Sequence, residues 1–238
     1  VGGLAAAVEW RAAFFGTAAL SLGLAVALPK TADGEATRSP ASLRVILEPR
    51  VLLIGLAALF AAAGPYSAHL LVGLRARDLL DLSPTAAGLL ILAGSSAGLV
   101  TAPHWGRLMD RAGARTTSLG VVGATCVAVM TLGVVPGVVG LGVAWFITGG
   151  LMVGVVVALQ SLGALAVSSN RGGALSATMS FRFVGHAIGP LWWVPLFERS
   201  AAAAFLGAGL LGLVAAGALW FVVDQVPATA SEPTPSNP

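Results

Sequence analysis

Arg182 and His186 stand four residues apart inside a long apolar run, so a helix built from that run carries both on one face. A guanidinium in hydrocarbon is costly, and it needs an anion, a carbonyl or a route to the interface. Counting from residue 174 at about 1.5 Å per residue, Arg182 lies roughly 12 Å deep, and His186 deeper. Two uses remain open for this arginine, snorkelling to the nearer surface and gating. Tyr66, Ser67 and His69 follow Gly64-Pro65 in another run, and Gln160 lies within a third. Such groups can bind a polar solute or satisfy a neighbouring helix. They do not assemble a reaction centre, because the acidic residues Glu9, Asp33, Glu35, Glu48, Asp78, Asp81, Asp110, Glu198, Asp224 and Glu232 all fall in links or at run ends. The runs hold no paired carboxylates, no Ser/His set and no metal-ligand spacing, so neither an enzyme nor a metal or cofactor site is expected. Cys126 is the only cysteine, which excludes a disulfide within the chain and reads as a small packing residue.

The elements that hold these residues are seven apolar runs, approximately 12–28, 51–73, 85–103, 117–136, 138–167, 174–197 and 202–223. About twenty helical residues span the hydrocarbon core of a bilayer. Charged residues make up 10% of the chain and the mean hydropathy is +0.90, so the partner of these runs is lipid. In lipid each backbone amide must be satisfied within its own segment, and the runs lack the alternation of a barrel strand. The fold class is therefore an all-α membrane protein with seven transmembrane helices. Soluble helices would show a polar face, which these lack.

Lys and Arg are enriched in links that stay cytoplasmic. With residue 12 near the outer surface, the inner links hold Lys30, Arg38, Arg44, Arg50, Arg107, Arg111, Arg115 and Arg171, against Arg11, Arg75, Arg77 and Arg199 outside. The C-terminus is then cytoplasmic. Trp10, Trp105, Trp145, Trp192, Trp193 and Trp220 fall near run ends and read as interfacial anchors. The pI near 10.0 follows from this loop asymmetry, and no basic stripe is present to track nucleic acid. Residues 30–50 form a polar link, with Leu43 to Leu47 along the membrane surface. The Pro-rich tail 224–238 is expected to be disordered. Residues 1–8 read as the end of a further helix cut away upstream, which predicts a truncated protein.

Gly106-Arg107-Leu108-Met109-Asp110-Arg111-Ala112-Gly113-Ala114-Arg115 occupies the inner link between the third and fourth runs. It resembles the G-x-L-x-D-R-x-G-x-R loop of the major facilitator superfamily. Glycines there allow a tight turn, arginines face anionic headgroups, and a carboxylate can dock on the positive end of a helix. Three further segments resemble the same family in the same order. Trp10-Arg11-Ala12-Ala13-Phe14 is similar to the opening of the sixth helix. Asp81-Leu82-Ser83-Pro84-Thr85-Ala86-Ala87-Gly88 is similar to the G-x-S-P-x-x-A-G entry to the eighth, with Asp81 where glycine is usual. Ser180 to Pro190 is similar to the eleventh helix of drug-exporter-like members, and Gly185 to Pro190 echoes an antiporter G-x-x-x-G-P element. A small-residue packing seam explains Gly185, Gly189 and Pro190 equally well.

The resemblance implies that the seven runs are helices six to twelve of a carrier. Residues 1–29 then hold the end of helix five and helix six, 30–50 the cytoplasmic linker between halves, 51–223 the C-terminal six-helix bundle and 224–238 the tail. It implies a secondary transporter in a prokaryotic inner membrane, exporting a small amphiphilic or hydrophobic solute with possible proton coupling. Its partners are the bilayer, that solute and the missing N-terminal half. Helices seven and ten line the cavity in this family, which makes Tyr66, His69 and Gln160 the cavity residues. Gly106, Asp110, Arg111, Gly113, Arg115, Arg182, Gly185, His186, Gly189 and Pro190 are the gating set. Asp110 is expected to have only local partners such as Arg107, Arg111 or backbone amides of its own turn. The first run is expected on the bundle's periphery, and the seventh and tenth helices should expose faces to the absent half. A seven-helix receptor shares the topology, though the only lysine, Lys30, lies in a link and rules out retinal. A non-transporting membrane fragment is the other alternative.

Overall fold

The computed structural model describes residues 10–27 and 43–223. The expectations for residues 1–9, for most of the 30–50 link and for the tail lie outside the described residues. Within them the chain is helical throughout: α1 (Trp10–Ala27), α2 (Pro49–Ala63), α3 (Ala68–Leu74), α4 (Pro84–Ala112), α5 (Ala114–Thr131), α6 (Gly137–Ala166), α7 (Arg171–Arg199) and α8 (Ala201–Val223). A 3₁₀ turn at Pro65–Ser67 joins α2 to α3, and a π turn at Arg75–Leu79 closes α3, so Pro49–Leu79 is one broken crossing.

Four helical stretches, Pro49–Leu79, Pro84–Ala112, Gly137–Ala166 and Ala201–Val222, are long and apolar enough to cross a membrane. A shorter apolar stretch, Thr116–Thr131, comes from α5. The helix α7 is 29 residues long but carries Arg182 and His186 in its middle. Each start has a local cause. Proline opens α2 and α4 where a missing N–H costs nothing, Ser83 Oγ accepts the Ala86 N–H at 3.2 Å, and Asn170 Oδ1 accepts the Gly173 N–H at 3.0 Å.

Two pairs of helices run parallel with their backbones in contact. Between α4 and α6 the register is set by Gly94 against Gly149 and Gly98 against Val153. Between α2 and α7 it is set by Leu59 and Ala62 against Gly185, then by Ala63 and Ser67 against Gly189. The third pair, α5 and α8, is antiparallel, with Gly209 and Gly212 seated on Met130 and Cys126. Cys126 is buried there, as a packing residue should be. Small residues are what allow such approach in a bundle that lipid does not squeeze together.

Three expectations are corrected. The crossing Pro49–Leu79 does not expose a face: 72% of its apolar window is buried, against 28% for Pro84–Ala112. The expected tenth helix, α6, does expose apolar side chains, Val143 at 58% and Ile147 at 56%, and further open faces belong to α4, where Leu99 is 82% exposed, and to α7, where Phe183 is 69% exposed. The reason is position, because α2 packs against both α7 and α8 whereas α4 leans mainly on α6. The helix α1 is not packed on the periphery: from Phe15 to Leu24 every side chain is exposed. Its surface is apolar all round, and lipid satisfies such a surface as well as a protein neighbour does. Finally, Trp145 and Trp193 are core residues rather than interfacial anchors.

A methyl group at Gly149 would overlap the Gly94 carbonyl, whereas one at Gly106 meets nothing within 4 Å. Gly149→Ala should therefore lose about 1–3 kcal/mol of stability through overpacking. Gly106→Ala should be neutral or gain up to about 1 kcal/mol from helix propensity. Thermal unfolding of both variants in one detergent checks the contrast.

Candidate functional site

The site begins with the break between α2 and α3. Pro65 lacks an N–H, and the Ser67 N–H turns to the Gly64 carbonyl at 2.9 Å, which frees the Ala63 carbonyl from its helical partner. That oxygen is recovered by two side-chain donors, Ser67 Oγ at 2.9 Å and the Trp193 indole N–H. Broken helices are tolerated in membranes when neighbours re-satisfy the freed groups. Gly185 and Gly189 let α7 lie directly on this break, so their immediate role is the packing seam. Pro190 follows inside the same helix.

The break turns Tyr66 inward. Its hydroxyl donates to the Met152 carbonyl of α6 at 2.5 Å, which ties the broken crossing Pro49–Leu79 to α6. The Arg182 guanidinium lies 5.6 Å from the Tyr66 ring centroid, within cation–π range. His186 meets the same ring edge-on at 5.8 Å. Arg182 Nε donates to His186 Nε2 at 3.5 Å, so that imidazole nitrogen is the acceptor. His69 Nδ1 donates to the Tyr66 carbonyl at 3.2 Å, and its ring stands edge-on to Trp145 at 4.7 Å. The Trp145 indole in turn donates to the Ile91 carbonyl of α4 at 3.3 Å. The structure thus brings Tyr66, His69, Arg182 and His186 into one cluster.

Counted from Arg171, Arg182 lies roughly 16 Å along α7, close to the middle of a hydrocarbon core about 30 Å thick. The side chain is engaged inside the bundle rather than extended to an interface. Among the described residues no carboxylate pairs with it; its remaining contact is a 3.9 Å approach of Nη1 to Met179 Sδ.

Gln160 stands apart from the cluster. It is exposed and lines an open groove of about 480 Å³ between α6 and α7, together with Ser161, Ala164, Leu175 and Met179. Met179 lines this groove and also approaches the guanidinium.

The Gly106 to Arg115 segment is not a loop. Gly106, Arg107, Asp110 and Arg111 lie in the last turns of α4, Arg115 is in the first turn of α5, and Gly113 alone makes the turn, at φ +83°. Only glycine takes that conformation without strain. Asp110 is exposed and, among the described side chains, makes no ion pair with Arg107 or Arg111; Arg107 Nε turns back to the Pro103 carbonyl at 3.3 Å. Arg111, next in sequence to Asp110, points to a different side of the helix, and Arg107, one turn away on the same side, bonds to a backbone carbonyl instead.

Four positioning residues escaped the sequence analysis. Trp193, Trp145 and Trp105 donate to carbonyls of neighbouring helices, Trp105 to Gly150 at 2.8 Å. A signal existed for two of them, since Trp145 precedes Gly149, and Trp193 follows Gly189, by one turn. Arg75, assigned to an outer link, donates to the Leu132 carbonyl and, at 2.6 Å, to that of Val135, capping the end of α5.

The family model of the Major Facilitator Superfamily matches residues 1–190 and, in a second match, residues 77–238. No curated protein matches the chain.

Two outcomes follow from the site's hydrogen bonds. Ser67→Ala and Trp193→Phe should each cost about 0.5–1.5 kcal/mol, because the other donor still serves Ala63. The double variant strips the carbonyl of both, so its loss should exceed the sum in a double-mutant cycle read by thermal unfolding. Asp110→Asn, at an exposed position without an ion pair among the described residues, should change stability by no more than about 0.5 kcal/mol in the same assay.

Proposed function

The chain belongs to the Major Facilitator Superfamily, and from that premise we propose that it is the C-terminal portion of a secondary transporter, exporting a small amphiphilic or hydrophobic solute by alternating access. The observation that carries this reading is the cluster of Tyr66, His69, Arg182 and His186 at mid-depth on a broken helix, sharing Met179 with an open groove between α6 and α7. Carriers place their sites near the midplane, on discontinuous helices between two bundles that rock against each other. The described residues supply one bundle. Its open faces on α4 and α7 are where the facing bundle would rest, and we assign that role to the N-terminal half of the same carrier.

Direction and coupling rest on sequence. The likeness of Ser180 to Pro190 to drug-exporter-like members supports export, with Gly185 and Gly189 as the hinge seam and Arg182 and His186 as the gate beside it. The basic residues Arg44, Arg50, Arg107, Arg111 and Arg171 support a cytoplasmic placement for the Gly113 end, in a prokaryotic inner membrane. Asp110 and Arg111 then face the cytoplasm at the inner gate. Acidic residues occur only at the ends of the described crossings, so proton coupling would fall to carboxylates of the facing bundle.

The test uses the purified chain and a panel of phenylalkyl amphiphiles with cationic, neutral and anionic head groups. At least one member should bind saturably in detergent, and Gln160→Ala, which removes an exposed groove residue, should weaken that binding roughly two- to tenfold. The chain reconstituted alone should give no net flux. Flux by the chain alone would remove the need for a facing bundle, and a panel without a single saturable ligand would sink the cavity assignment.

A further inference from the structure

The cluster holds a charge that the described protein does not neutralise. Arginine offers five N–H donors in a rigid fork. Among the described residues the acceptors it meets are an imidazole nitrogen at 3.5 Å and a thioether sulfur at 3.9 Å, both poor substitutes for an oxygen anion. The ring of Tyr66 supports one side of the cation, while its hydroxyl points to Met152 and takes no hydrogen bond from Arg182. His186 has its Nε2 lone pair already turned to Nε of the arginine. The nitrogens Nη1 and Nη2 therefore have no oxygen partner among the described residues, in a place where an unpaired charge is expensive.

The groove beside it has a complementary character. Ala164, Leu175 and Met179 give it apolar walls, Gln160 and Ser161 a polar edge, and Met179 is the residue that touches Arg182. Resting on the carrier reading above, we propose that Arg182 is the binding point for the carboxylate of an amphiphilic solute, whose apolar body lies along Leu175 and Met179. A carboxylate matches the fork of a guanidinium with two parallel, charge-assisted hydrogen bonds. Lysine would not reproduce that geometry. An acidic side chain of the facing bundle offers the same chemistry without the apolar body, and the experiment separates the two.

The full chain in a neutral detergent is titrated with 4-phenylbutyrate, 4-phenylbutanol and 4-phenylbutylamine, which share one tail. The carboxylate should bind at least tenfold more tightly than the alcohol or the amine, and Arg182→Gln should abolish that preference. Should Arg182→Gln fail to fold, modification of the unaltered chain by phenylglyoxal is the second readout. Phenylbutyrate should slow adduct formation at Arg182 severalfold and leave exposed Arg107 unaffected, as mapped by mass spectrometry. Equal binding of the alcohol and the carboxylate, or a preference that survives in Arg182→Gln, would overturn the assignment and leave the carrier reading standing. If acetate protects Arg182 as well as phenylbutyrate does, the site accepts a carboxylate without a tail; the facing bundle is then its source, and the solute assignment falls.

Discussion

Lipid gives helices no hydrophobic reason to associate, so this bundle depends on how closely two pairs of parallel backbones can approach. Gly149 lies on the Gly94 carbonyl, and Gly185 lies on the Leu59 carbonyl. At that separation an indole on one helix reaches a carbonyl on the other: Trp145 to Ile91, Trp105 to Gly150 and Trp193 to Ala63. Each bond is long-range in sequence and sits where water cannot compete. Close packing and hydrogen bonding are thus the same event, because a methyl group at the glycine would move the donor out of reach.

The polar cluster is a consequence of the second seam. Gly64 and Pro65 interrupt one crossing, and the freed Ala63 carbonyl draws in Ser67 and Trp193. Because Gly185 and Gly189 hold α7 against that break, the residues one turn away, Arg182 and His186, arrive beside Tyr66. Tyr66 then carries the connection onward to α6 through Met152. A change in seam register by one turn would separate the arginine from its aromatic support.

The ends of the bundle obey more local rules. Gly113 at φ +83° turns α4 into α5 with a single residue, which leaves Asp110 and its arginine neighbours on helical turns facing outward. Asp81 adopts φ +50° ahead of the Ser83-Pro84 helix start, at the very position where the resembling motif carries glycine. Glycine adopts this conformation most easily, and aspartate is among the few other residues that tolerate it.

The sequence by itself determined the membrane class, the helical crossings and the family likeness, because each depends on composition over about twenty residues or on a contiguous motif. It also singled out Tyr66, His69, Arg182 and His186, since a polar side chain in an apolar run is conspicuous without any partner. It did not show that these four meet, nor that Gln160 lies apart on an open groove. It read Trp145 and Trp193 as interfacial anchors and Arg75 as a loop charge, because proximity to a run end is visible along the chain and an accepting carbonyl on another helix is not. Only the tertiary structure decided those partners. Seams between helices are set by which glycine faces which backbone, a relation among residues such as Leu59 and Gly185 that are distant in sequence, and the register of the seams placed every polar group in the interior.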